Sequence, residues 1–320
     1  MPLDRLDQRF PVDRLAGIGD EAAVGLDGQL AALRRLNWST VELRTVNGTA
    51  VADLTPDAAG TLAERLRAAR VRVVCLASRI GNWGRPITGS FDDDVAELET
   101  LAQWCTLLGC RYVRIMSYPN DGLAERDWAR HAIDRISRLA VRAERCGVTL
   151  LHENCAGWAG RSGKRTRRLL DEVGSPALRL LFDIGNGVPH GYDAHRLLEQ
   201  VLPYVAHVHV KDAVPTAAGT VYTLPGYGRA RVMDCLRLLL GSGYAGAFSL
   251  EPHLATVPHE GRRAQNGDAA ESFVRAGRQL RRLLDTLTRD EQARDALDRS
   301  GPTADAPPRA AGPVVAEADT

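Results

Sequence analysis

Residues 178–183 read LRLLFD, and residues 148–153, 206–212 and 247–251 read VTLLHE, AHVHVKD and AFSLE. Each is a short apolar run that closes on an acid, or on a histidine followed by Lys211 and Asp212. Side chains alternate faces along a strand. Glu153 therefore shares a face with Thr149 and Leu151, and Asp183 with Leu181, while Leu180 and Phe182 face the other way. His207, His209 and Lys211 fall together, as do Ala247, Ser249 and Glu251. Four successive strands each end by turning a potential ligand to one common side.

The same texture continues outward in both directions. Leu15–Ile18, Thr40–Arg44, Val71–Leu76 and Tyr112–Met116 are four more short apolar runs, giving eight strands with those at Val148–Glu153, Leu178–Asp183, Ala206–Val210 and Ala247–Glu251. Helical stretches lie between them, such as PDAAGTLAERLRAAR and RHAIDRISRLAVRAERCG. Gly147 suits a helix C-cap, and Asp57 and Asp92 to Asp94 bring negative charge to first turns, where the helix dipole favours it. Eight strand–helix units predict one α/β domain, a single (β/α)8 TIM barrel over residues 1–298. An open doubly wound sheet is the competitor. Gly17-Ile18-Gly19 is followed by Asp20-Glu21-Ala22, which removes the dinucleotide fingerprint that such a sheet commonly carries. Residues 299–320 turn to Pro, Ala, Gly and acidic residues, a composition that predicts a disordered C-terminal tail.

Composition excludes several classes. Of 320 residues, 41 are basic and 40 acidic, so no electrostatic footprint for nucleic acid exists. No apolar run approaches the roughly 18 residues of a membrane span, and MPLDRLDQRFPVDRLAG lacks the apolar core of a secretion signal. Six cysteines are scattered without close pairs, which fits free thiols in a cytoplasmic protein. The expected partner is a small molecule, with a homo-oligomer left open.

Barrels place their active sites at the C-terminal ends of their strands. Glu153, Asp183, His209 and Glu251 stand there, and converging carboxylates need a cation to stay ionised together. Three carboxylates and one imidazole make a mostly hard set for one divalent metal, Mn²⁺ first, with Mg²⁺, Co²⁺ or Zn²⁺ as alternatives. Four protein ligands leave two octahedral positions for adjacent substrate oxygens. A hydroxy-ketone supplies such a pair, and polarising its carbonyl acidifies the neighbouring C–H.

The blocks LLHENCAGW, LLFDIGN, HVHVKD, LPGYGRARVMDCLRLLLGSGY and AFSLEPH resemble the xylose isomerase-like barrel superfamily. That group holds sugar-phosphate isomerases and epimerases, ketose 3-epimerases, inosose dehydratases, hydroxypyruvate isomerase and endonuclease IV. The resemblance is specific from Val148 to His253 and diffuse before that. It implies a Glu–Asp–His–Glu metal set at Glu153, Asp183, His209 and Glu251, with Glu153 and Glu251 also the proton-moving pair. Two positions depart from the ketose 3-epimerases: Asn186 stands where they usually carry histidine, and Lys211 is the nearest cation where they carry arginine. The extra zinc-binding histidines of endonuclease IV are missing from LASRIG, IMSYPN and DIGN.

Lys211 shares parity with His209 and suits an enolate-steadying role. Glu42 and Arg44 share parity at the end of the second strand, which predicts either substrate contacts at the mouth or a salt bridge with each other. Trp83 stacks on a sugar face or packs its own loop, His190 closes over the site or sits on a surface loop, and His253 is an acid/base or a supporting residue. His207 is expected as a hydrogen-bonded core residue one layer below His209, and His152 as a structural residue facing the helices. The leading function is a metal-dependent isomerase or epimerase of a sugar, keto-sugar or cyclitol. A lyase on the same scaffold is the rival, as in keto-inositol dehydration or keto-glycoside cleavage, and a non-catalytic binding protein is the remote alternative.

Overall fold

In the computed structural model, residues 9–257, 262–263 and 269–299 are described; the tail expected beyond them lies outside the described residues. Eight parallel strands alternate with helices: β1 (Leu15–Gly17), β2 (Thr40–Leu43), β3 (Arg72–Ala77), β4 (Tyr112–Ser117), β5 (Thr149–Gly157), β6 (Leu178–Asp183), β7 (Val205–Val210) and β8 (Phe248–Leu250). The ladder runs from β2 through β8 in chain order and then back to β1, where Leu15 pairs with Phe248. A single bridge between Ile18 and Glu42 joins β1 to β2 and closes the barrel.

The helices are α1 (Leu26–Leu36), α2 (Pro56–Ala68), α3 (Phe91–Leu108), α4 (Glu125–Cys146), α5 (Gly163–Val173), α6 (Ala194–Val201), α7 (Val232–Gly241) and α8 (Ala269–Arg299). Local chemistry sets their ends. Thr55, Ser90, Ser162 and Asp193 accept a backbone amide at four N-termini, and Gly109, Gly147 and Gly174 take the left-handed conformation that stops α3, α4 and α5.

The alternation expected from the strands holds on both faces. Leu150, Leu180, Phe182, Val208 and Phe248 belong to the large apolar layer between barrel and helices. Each large side chain buried there contributes roughly 1.5–3 kcal/mol. The barrel interior holds a small apolar cluster of Cys75, Leu151 and Leu181, with Tyr112 and Ala206 packed against it. Glu42, Arg114, Glu153, Asp183, His207, His209 and Lys211 are buried there as well, which is what a site rather than a plain core requires.

His152 faces the helices as expected, in register with Ile115 and Leu180 of the outer layer. It is fully buried, and neither ring nitrogen has a hydrogen-bond partner. Burial holds its imidazole down at about 4, against an ordinary 6.5. On acidification the unfolded chain takes up this proton first, so stability falls as pH drops from about 6.5 to about 4, by ~3 kcal/mol for the whole shift. His152→Leu should flatten the acid limb of the unfolding curve. Wild-type and variant curves that stay parallel between pH 7 and 4 would remove this account.

A hairpin of Asp212–Thr216 and Gly219–Thr223 follows β7. The Asp212 carboxylate accepts the backbone amides of Gly226, Gly228 and Ala230, which folds the LPGYGRA segment back onto the hairpin base. Tyr222 of the hairpin is thereby set against His253, with ring centroids 4.9 Å apart. Among the described residues, no helix is long and apolar enough to cross a membrane.

Candidate metal centre

Glu153, Asp183, His209 and Glu251 come from the upper ends of β5 to β8 and converge. One ligand atom from each lies within 4.8 Å of all the others. Ligands opposite each other across an ordinary metal bond length of ~2.0–2.3 Å sit about 4–4.6 Å apart, so the spacing suits one cation.

Each of the four is held from behind. Asp183 Oδ1 accepts the backbone amides of Gly185 (2.7 Å) and Asn186 (3.2 Å). Glu153 Oε1 accepts from Asn186 Nδ2 at 3.0 Å, and its Oε2 from Arg114 Nη1 at 2.9 Å. Glu251 Oε1 takes Arg44 Nη1 at 3.0 Å, and its Oε2 takes Lys211 Nζ at 2.7 Å. His209 Nε2 lies 2.9 Å from Glu42 Oε2, whose carboxylate also meets His207 Nε2 at 2.9 Å.

Charge alone does not demand a metal. Lys211 Nζ sits 2.6 Å from Asp183 Oδ2, so Lys211, Arg44 and Arg114 already match the three carboxylates. Two unanswered atoms make the stronger case. Asp183 Oδ2 is near that ammonium without hydrogen-bond geometry, and His209 Nδ1 has no hydrogen-bond partner; both are buried. Nδ1 lies 3.9 Å from Asp183 Oδ2 and 3.4 Å from Glu251 Oε2, aimed into the cluster. An imidazole fixed by a carboxylate on its far nitrogen is the usual support for a metal ligand. These residues fit a divalent cation.

The cluster also separates its acids. Burial pushes the Asp183 carboxyl up to about 6, against the pull of Lys211. Burial works the same way on Glu251, but Lys211 and His253 overcome it and hold that carboxyl well below the usual range. Arg114 and His209 hold Glu153 low in the same manner. Burial opposes the Lys211 charge, yet Asp183, Glu251 and Glu153 keep its ammonium well above the ordinary value.

Above the cluster opens a cavity of about 270 Å³, whose lining includes Arg44, Trp83, Glu153, Asn186, Lys211 and His253. Glu42 is not part of that lining. The pairing of β2 with β3 shifts register between Val41 and Glu42, and Glu42 ends fully buried beneath the mouth, between two imidazoles. Arg44 does reach the mouth, but it pairs with Asp20 and Glu251 rather than with Glu42. His207 is the hydrogen-bonded core residue expected. His190 ends a one-turn helix, Gly187–His190, and joins the cavity lining, its Nε2 3.7 Å from Cys155 Sγ. Close backbone approach fixes Lys211: a Cβ on Gly185 would lie 2.1 Å from Lys211 Cγ.

Three residues escaped the sequence reading. Arg114 points inward from β4 by the same parity as Tyr112 and Met116, so its signal was present in YVRIMS. Asp20 and Glu21 lie in the turn after β1, where no periodicity marks them. Glu21 Oε1 stands 2.6 Å from His253 Nδ1, and Glu21 Oε2 accepts the His253 amide at 2.8 Å. That grip holds His253 in a left-handed conformation, φ 52°.

Comparison with known proteins agrees with this fold. A 2-epi-5-epi-valiolone 7-phosphate 2-epimerase of Actinoplanes sp. is 32% identical over 146 residues, 45% of this chain and 52% of that protein. Inosose dehydratase 1 of Bacillus cereus is 26% identical over 142 residues, 40% of this chain and 47% of that protein. The chain thus matches about half the length of these relatives. The crystal structure of IOLI protein with a binding zinc atom superposes with a TM-score of 0.66 at 14% identity, covering 86% of this chain and 99% of that one. The model of the xylose isomerase-like TIM barrel matches residues 30–276, the greater part of the chain. The chain belongs to the xylose isomerase-like TIM barrel family.

Proposed function

We propose that this chain is a divalent-metal-dependent isomerase or epimerase of a sugar, keto-sugar or cyclitol, working in the cytoplasm through an enediolate. The observation that carries the reading is the placement of Glu153 and Glu251. They rise from β5 and β8, both line the cavity, and both are held ionised. A substrate carbon between them is open to a carboxylate from either side. One removes the proton and the other returns one. Bound at Glu153, Asp183, His209 and Glu251, the metal supplies the Lewis acidity that makes the substrate C–H removable; Mn²⁺ is the ion proposed, with Mg²⁺, Co²⁺ and Zn²⁺ as alternatives. Lys211 steadies the negative charge that develops on the substrate oxygen, Arg44 fixes Glu251, and Asn186 fixes Glu153. Trp83 and Tyr222 border the space that the carbon skeleton fills.

The lyase reading shares the first proton abstraction and is favoured by the dehydratase relatives and by His253. Its imidazole is clamped by Glu21 beside Glu251, where it can meet a departing hydroxyl. Solvent-deuterium incorporation across a panel of keto-sugars and inososes tests both. Exchange with recovery of an isomer or epimer supports the first reading, and loss of water supports the second. No exchange with any member, in protein carrying about one metal per chain, would refute both.

A further inference from the structure

The cations of the cavity are not equivalent. Arg114 is committed to Glu153, Arg44 to Asp20, Glu21 and Glu251, and Lys211 to Asp183 and Glu251. Arg161 lines the same cavity and is exposed, and among the described residues it meets no carboxylate. Its height differs as well. Glu153 is buried at the floor, whereas Arg161, in the loop that leads from the irregular end of β5 to α5, is exposed. The floor of the cavity thus holds acids balanced by buried cations, and its rim carries a guanidinium that no carboxylate among the described residues balances.

We infer that Arg161 anchors an anionic group of the substrate, a phosphate ester or a carboxylate, at the rim while the reacting carbons lie at the floor. This rests on the sugar-or-cyclitol reading above and adds the substrate class. A guanidinium presents two parallel donors that match the paired oxygens of either anion. A neutral polyol offers it no such partner. The cavity, at about 270 Å³, is at the small end of ligand pockets, so one monosaccharide-sized body with its anion at the rim would fill it.

The test compares solvent-deuterium exchange into fructose, fructose 6-phosphate and a hexuronate, in wild type, Arg161→Ala, Arg161→Lys and Arg167→Ala. Arg167 is exposed on α5 and does not line the cavity, so its loss changes net charge equally without touching the rim. The expected result is that kcat/KM for an anionic substrate over fructose falls at least about tenfold in Arg161→Ala, partly returns in Arg161→Lys, and keeps its wild-type value in Arg167→Ala. The loss should lie in KM. Whether the phosphate or the uronate gains most identifies the anion. A ratio unchanged in Arg161→Ala, or lowered equally by Arg167→Ala, overturns the inference. Calorimetry with inorganic phosphate separates the two readings. If no sugar exchanges but phosphate binds wild type at least about tenfold more tightly than Arg161→Ala, the reaction is misassigned and the anion site stands. If phosphate binds both alike, the site falls too.

Discussion

Glu153→Gln and Glu251→Gln are each expected to lose at least 10²- to 10⁴-fold in kcat, the usual contribution of a positioned acid or base. Glutamine keeps the size and one ligand oxygen, so each variant should retain some metal. It also keeps an oxygen for the neighbour, Asn186 or Arg44, that holds the carboxylate in place. What disappears is the ability to take a proton. Solvent exchange should vanish in whichever variant lacks the abstracting base and persist weakly in the other, because only the returning step is then impaired. Metal content and thermal unfolding, measured alongside, separate lost chemistry from lost structure. If both variants exchange at the parental rate, the proton belongs to another group, and Lys211 is the next to test.

The second large effect should come from a residue that touches no substrate. Glu42 is fully buried, and its carboxylate answers two imidazoles at once. Glu42→Leu leaves both without an acceptor in a closed interior. Breaking a buried charged pair by removing one partner costs about 3–5 kcal/mol. At roughly 2–4 °C per kcal/mol for a chain of this size, melting should fall by on the order of ten degrees. His209 also loses the group that orients it, and supporting residues of this kind are worth about 10- to 100-fold in metal affinity. Glu42→Gln retains one acceptor oxygen and should lie between. Competition against a chelator reads the affinity and calorimetry reads the stability. Wild-type values for both in Glu42→Leu would mean that His209 is positioned by its strand alone.

Much of this was legible because parity along a strand reports which face a side chain takes. Leu151 and Leu181 went inward, Leu180 and Phe182 outward, and the four candidate ligands converged, all from a period of two. Parity does not report height. Glu42 and Glu251 share the inward face, yet one lies beneath the cluster of candidate ligands and the other within it. A register shift in β2 and the closing bridge to Ile18 set that difference, and neither leaves a trace in local sequence. Arg114 was readable by the same parity, since it shares the inward face of YVRIMS with Tyr112 and Met116. Asp20 and Glu21 were not readable at all. They act from a single turn, where the chain has no period to interpret, and matter only because distant Arg44 and His253 fold against them.

The pairing of β1 with β8 ties the beginning of the chain to a segment about 230 residues later. At ordinary ribosomal speeds that is on the order of ten to fifty seconds of synthesis during which Leu15–Gly17 waits for its partner. The bridge from Ile18 to Glu42 and the Thr40 hydroxyl, donated to the Leu15 carbonyl, hold the first strand meanwhile, and the growing sheet keeps an open edge at each end. Open edges recruit strands from other chains. Lesions in Phe248–Leu250 are therefore expected to appear in the cell as lost soluble yield before they appear as a lower melting point of whatever protein survives purification.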